Sequence, residues 1–149
     1  MIYREQWEYR PEWADYVFAK WRGTGRVEQI TDDSIGPFRQ KAWDSFEKIG
    51  FPIKRIKTWI NIMVPDSRTG YDDGYPHVHY PLDGLTLVHY LEPGDSPAPL
   101  HIFDNDEVIE IIYPVKGLTV FMPNDLKHGV LRNNGTIERM AMIATALRG

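Results

Sequence analysis

Beyond Pro52 the chain consists of short apolar runs, rich in Val, Ile, Leu, Tyr and Phe, broken at close intervals by Gly, Pro, Asp and Asn. β-branched and aromatic residues suit a pleated surface, and the breakers supply turns, so this texture belongs to an all-β unit. It predicts strands over 55–64, 76–80, 85–92, 99–103, 107–113, 118–122, 128–132 and 137–147. That many short strands suit a double-sheet barrel of the jelly-roll or cupin-like kind, in which two sheets enclose a cavity. The last strand is apolar on both faces, so it needs cover on its outer side as well as its inner one.

The cover lies upstream. Phe38, Ala42, Phe46 and Ile49 recur at helical spacing, and Gly50 with Pro52 supplies a stop. That segment is expected to be a helix with one buried face, packed outside one sheet. Residues 3–30 carry Trp7, Tyr9, Trp13, Tyr16, Val17, Phe18 and Trp21 at intervals too irregular to choose between helix and strand. The expected fold is therefore mainly β: a double-stranded β-helix with one or two packing helices from the N-terminal third. With 149 residues, one core should organise residues 1–149, divided into an N-terminal aromatic segment and helix (1–52) and a β-barrel core (53–149).

Composition narrows the function classes. Hydrophobic residues at 42% and aromatics at 13% are enough for a packed core and exclude a disordered chain. A formal charge of −4, with Lys and Arg scattered, gives no basic stripe for nucleic acid. Cysteine is absent, which rules out disulfides and thiolate metal sites and fits a reducing compartment. The first residues lack the apolar run of a signal peptide, and no stretch of roughly 18 apolar residues could span a bilayer. The expectation is a soluble cytoplasmic protein with no membrane or nucleic-acid partner; the aromatic N-terminal segment leaves a homo-oligomer open.

Any metal must then bind through imidazole, carboxylate or backbone. Pro76-His77-Val78-His79-Tyr80-Pro81 places two imidazoles at i and i+2, and an extended strand points both to one face. A third, His128, opens a predicted strand far along the chain, and barrel closure could bring it to the first pair. Three nitrogen donors leave open positions on an octahedral ion for a cosubstrate and dioxygen. Set against this, His-x-His arises by chance, and two of five histidines would often be surface residues. On the last strand, Arg139 shares a face with Ile137, Ala141 and Ile143 and so points inward. A buried guanidinium without an anion is expensive, which suggests a carboxylate, from a ligand or from an internal Asp or Glu; the plainer alternative is an ion pair at the rim.

Trp59-Ile60-Asn61-Ile62, Pro76-His77-Val78-His79-Tyr80-Pro81, Leu87-Val88-His89-Tyr90-Leu91, Gly117-Leu118-Thr119-Val120-Phe121, His128-Gly129-Val130 and Arg139 appear in this order. Together the stretch from Trp59 to Ala144 resembles the core of the 2-oxoglutarate and Fe(II)-dependent oxygenases, above all the prolyl-hydroxylase-like branch. The resemblance implies iron on His77 and His128, and Arg139 paired with the distal carboxylate of 2-oxoglutarate. It further implies a hydrogen bond from Tyr90 to that carboxylate and a place for Asn61 in the pocket wall. No side chain would act as a general acid or base.

The chain departs from the family pattern at His79, where the family usually carries Asp; His79 is read as the third ligand, with Asp83 as an alternative source of a carboxylate. Arg132, four residues after His128, is the reserve candidate for the carboxylate clamp. His89 lies on the strand face opposite Tyr90 and is expected under the outer helices, while His101 and the acidic run 104–107 read as structure. The function implied is an oxygenase, a hydroxylase coupling 2-oxoglutarate decarboxylation to C–H oxidation of an unidentified small molecule or peptide. Two alternatives are a three-histidine cupin dioxygenase that does not use 2-oxoglutarate, and a non-catalytic barrel.

Overall fold

The computed structural model describes residues 2–22, 35–65, 77–96, 99–130 and 133–148, with backbone alone for 27–29. In chain order the elements are β1 (Tyr3–Gln6), α1 (Pro11–Trp21), β2 (Val27–Gln29), α2 (Gly36–Lys48), β3 (Arg55–Met63), β4 (Leu85–Glu92), β5 (Leu100–Asp104), β6 (Glu107–Ile112), β7 (Leu118–Pro123), β8 (Lys127–Val130) and β9 (Arg139–Leu147). A larger antiparallel sheet runs β1-β7-β4-β9-β3-β2, and a smaller one β6-β5-β8.

Each helix carries a proline in its first turn, Pro11 and Pro37, where the missing amide costs nothing. α1 buries Trp13, Ala14, Val17 and Trp21, and α2 buries Phe38, Ala42, Ser45 and Phe46, each set lying on one side of a 3.6-residue period. α2 ends where Gly50 takes φ +87°, with the Gly50 amide donating to the Glu47 carbonyl (2.9 Å) and the Phe51 amide to that of Phe46 (3.0 Å). This left-handed cap turns the chain back toward the sheet.

Strand parity separates two apolar layers. Ile60 and Ile62 of β3, Leu87 and Leu91 of β4, and Met140, Met142, Ala144 and Ala146 of β9 pack under the helices with Phe38, Phe46 and Phe121. Tyr90, Val120, Met122 and Ala141 face the other way, against Leu100, Ile102 and Ile112 of the smaller sheet. All nine residues of β9 are buried because this strand serves both layers. Fully burying an aliphatic or aromatic side chain contributes about 1.5–3 kcal/mol, so the doubly covered strand anchors the fold.

The N-terminal segment supplies more than cover. β1 adds to the larger sheet along β7, and β2 adds along β3, so the aromatic stretch contributes two edge strands as well as α1. One predicted strand is corrected. Over 76–80 the described residues form no strand: a single bridge joins His77 to His128, and His79 then donates its amide to the Asn124 carbonyl (2.9 Å). Pro76 lies outside the described residues.

Candidate metal centre

The same parity that makes the inner layer also assembles a cavity. Trp59, Asn61 and Met63 from β3, Val88, Tyr90 and Glu92 from β4, Arg139, Ala141 and Ile143 from β9, and Leu100, His128 and Val130 from the smaller sheet all line it, with His77 and His79. Its volume is about 140 Å³, where about 10–15 Å³ suffices for one water, so it can admit a small organic ligand.

His77, His79 and His128 converge at this cavity, with ligand-capable nitrogens all within 4.8 Å of one another. His128 is carried by β8, whose partner β5 sets Ile102 opposite it. The His77 amide donates to the His128 carbonyl and the His128 amide to that of His77, both at 2.9 Å, so two distant segments are locked side by side. Asn124 holds the remainder of the 77–84 segment. Its side-chain amide donates to the Pro81 carbonyl (2.8 Å), its oxygen accepts from Thr86, and its backbone bonds both His79 and Gly84. Gly84 is required there, since a Cβ would lie 2.5 Å from the Asn124 Nδ2.

The rings are prepared as ligands. His128 Nδ1 lies 3.1 Å from the Leu126 carbonyl, an acceptor, so Nδ1 carries the proton and Nε2 presents its lone pair. Burial lowers the His79 pKa to about 4, helped by the charge of His77. Burial likewise lowers that of His128 to about 3, with His79 and His77 adding to the effect and the Leu126 bond opposing it. Both are neutral at pH 7. His79 Nε2 and His128 Nε2 stand 2.9 Å apart. Two nitrogens bound at about 2.1 Å to one ion, at right angles, would be separated by about 3.0 Å. The donor set therefore fits a divalent ion of the first transition row. Among the described residues no carboxylate joins it: Asp83 is exposed on the turn before β4, where its carbonyl accepts from Arg148 Nε (3.0 Å).

Arg139 is 5% exposed, and no carboxylate pairs with it among the described residues. Its Nε has no hydrogen-bond partner, and its Nη1 reaches only Met63 Sδ at 3.7 Å. Among the described residues the rim ion pair is not formed. Burial lowers the Arg139 pKa while the Tyr90 hydroxyl raises it, and burial pushes the Tyr90 phenol up to about 12 against the pull of Arg139 and Arg4. A guanidinium and a protonated hydroxyl thus share one cavity wall, a receptor for a carboxylate. Gly94, at φ +85°, lets the backbone lie against the Arg139 stem: a Cβ there would sit 2.8 Å from its Cγ. Arg132 lies outside the described residues.

The chain superposes on a prolyl-4-hydroxylase from Pseudomonas putida with a TM-score of 0.65 at 15% identity, over 99% of this chain and 92% of that one. A 2OG-Fe(II) oxygenase family oxidoreductase from Burkholderia pseudomallei gives 0.66 at 14% identity, over 93% and 79%. The fold is that of the prolyl-4-hydroxylases. A Trichoplax adhaerens prolyl hydroxylase, solved with a hypoxia inducible factor peptide fragment, gives 0.62 at 18% identity, over 81% and 61%. No family model and no curated protein matches the sequence.

Several residues that line or brace this cavity were not picked out as such from the sequence. Trp59 places its ring 5.6 Å from that of His79 and walls the cavity beside the histidines. Asn124 sits in Pro123-Asn124-Asp125, which reads as an ordinary turn. Asn133 holds the approach to β9, donating to the Met63 and Ile137 carbonyls at 2.9 and 3.0 Å. His89 is on the far side of the sheet, under Trp7, Trp13 and Phe38, and His101 lies on β5 opposite Gly129.

Proposed function

We propose that this protein is a 2-oxoglutarate- and Fe(II)-dependent oxygenase, a hydroxylase acting on a small molecule or a peptide. The observation that carries the reading is one cavity holding both three convergent imidazoles and a buried guanidinium that pairs with no carboxylate among the described residues. His77, His79 and His128 would hold the iron. The bound metal would supply dioxygen activation coupled to decarboxylation of 2-oxoglutarate to succinate, with oxidation of a substrate C–H bond.

The chain's own residues would bind, orient and exclude water. Arg139 would take the distal carboxylate of 2-oxoglutarate, with Tyr90 donating its hydroxyl hydrogen to the same group and Asn61 closing the wall beside them. Val88, Leu100, Val130, Ala141 and Ile143 provide an apolar lining that keeps water from the reacting centre. Among the described residues no helix is long and apolar enough to cross a membrane, and the lack of cysteine suits a cytoplasmic setting.

One observation favours a second reading. An all-imidazole donor set with no carboxylate also suits a three-histidine dioxygenase, in which Arg139 would grip the substrate's own carboxylate. Anaerobic titration with Fe(II) and then 2-oxoglutarate separates the two. The first reading expects a visible iron-to-ketoacid charge-transfer band, lost in His128→Ala and weakened in Arg139→Ala. Bound iron without a band would leave the three-histidine reading, and no metal at all would leave a non-catalytic barrel.

A further inference from the structure

The cavity has an unusual charge balance for a site that would hold a divalent ion. Its ionisable lining among the described residues is three imidazoles, Tyr90, Arg139 and Glu92. Glu92 is half-buried and turned to its own loop, its carboxylate accepting the Gly94 amide at 3.1 Å. With a divalent ion on three imidazole donors, the ion and Arg139 together bring three positive charges against one carboxylate among the described residues. A surplus of two charges would then stand in a largely apolar cavity, where water screens them poorly.

We propose that this is a dianion-gated metal centre: the all-imidazole triad holds Fe(II) weakly alone and tightly only together with a dianionic chelator. One end of that chelator binds the ion and the other takes Arg139. The inference rests on the proposed function for the placement of the ion, and it goes further by making metal occupancy a function of dianion concentration.

A carboxylate donor in the triad would remove one surplus charge before any ligand arrived. It would tighten the bare metal and repel the incoming dianion. Two like charges about 6 Å apart, at an effective dielectric of about 20, alter an equilibrium about a hundredfold. The coupling is reciprocal, so the dianion must tighten the metal by the same factor as the metal tightens the dianion.

The test measures the Fe(II) dissociation constant anaerobically by calorimetry, alone and with saturating 2-oxoglutarate, oxalate or 2-oxobutyrate. The last is a monoanion with the same chelating end. Measurements are made on the unmodified protein, His79→Asp and His77→Asp, with circular dichroism as a check on folding. In the unmodified protein 2-oxoglutarate should tighten Fe(II) about a hundredfold more than it does in either variant, and 2-oxobutyrate should be much less effective. Equal tightening by 2-oxoglutarate in all three proteins, or equal effects of dianion and monoanion, overturns the inference and leaves the oxygenase reading standing. If oxalate, too short to reach Arg139, couples more strongly in the unmodified protein while 2-oxoglutarate does not couple at all, the span from the ion to Arg139 is overturned and the 2-oxoglutarate reading fails with it.

Discussion

His89 should make the protein lose stability on acidification, by an amount that follows from its surroundings. The ring is fully buried, stacked 4.8 Å from Trp7 and edge-on to Trp13 at 5.6 Å, with Nδ1 2.9 Å from Thr119 Oγ1 and Nε2 without a partner. Thr119 Oγ1 is 3.2 Å from the Gly117 carbonyl, to which it donates, so it accepts from Nδ1–H and leaves Nε2 as the bare nitrogen. Protonating Nε2 would place a charge among indole and phenyl rings. Burial accordingly lowers the His89 pKa from 6.5 to about 4.

The folded pKa is the lower one, so between 6.5 and 4 the unfolded chain binds more protons than the folded one. Stability from this group is complete above pH 6.5, declines as pH falls through that window, and levels off below about 4. The loss is about 2 kcal/mol at pH 5 and about 3 kcal/mol at pH 4. Urea denaturation of the metal-free protein at pH 7.5 and 5 measures it, with His89→Leu as control. The control retains the titrations of His79 and His128, so the difference between the two proteins isolates His89. Wild type should lose about 2 kcal/mol more than His89→Leu over that range; equal losses would show that the cage does not suppress protonation.

Asn124→Ala removes two side-chain bonds and leaves Thr86 and the Pro81 carbonyl short of a partner, so it should cost about 2–3 kcal/mol in urea denaturation. It should also weaken Fe(II) binding, because Asn124 aligns the His77–His79 segment. Gly94→Ala puts a methyl group against Arg139 Cγ at a left-handed φ. It should raise the 2-oxoglutarate dissociation constant about tenfold while leaving the affinity for Fe(II) alone nearly unchanged. Saturating metal should stabilise the fold, by about 2.7 kcal/mol at a hundred times the dissociation constant, and a chelator should abolish the gain in a thermal melt.

Strand period explains much of what could be read in advance. Arg139, Ala141 and Ile143 could be placed inside because successive side chains of a strand point to opposite faces, and His89 could be assigned to the side opposite Tyr90 on the same ground. α2 announced itself through Phe38, Ala42 and Phe46, and its end through Gly50. The N-terminal third resisted because its aromatics are divided between β1, α1 and the connection joining them. β1 and β2 are also too short for alternation to show, and their pairing with β7 and β3 depends on contacts remote in sequence. Two imidazoles at i and i+2 suggested a strand at 76–80, but the segment is held by one bridge and by Asn124, neither of which leaves a periodic trace.

That single bridge bears on how such a protein can vary over generations. β3 and β9 are joined through nine consecutive residue pairs, from Arg55 with Leu147 to Met63 with Arg139, so a misfit at one pair is outvoted by its neighbours. The wall carrying Arg139 can therefore drift in sequence and still present the same face. The histidine segment has no such majority: a one-residue insertion between His77 and Gly84 would turn a ring outward or break the Asn124 clasp. Descendants of this chain are free to repaint the cavity wall, but not to change the count of residues that carries its imidazoles.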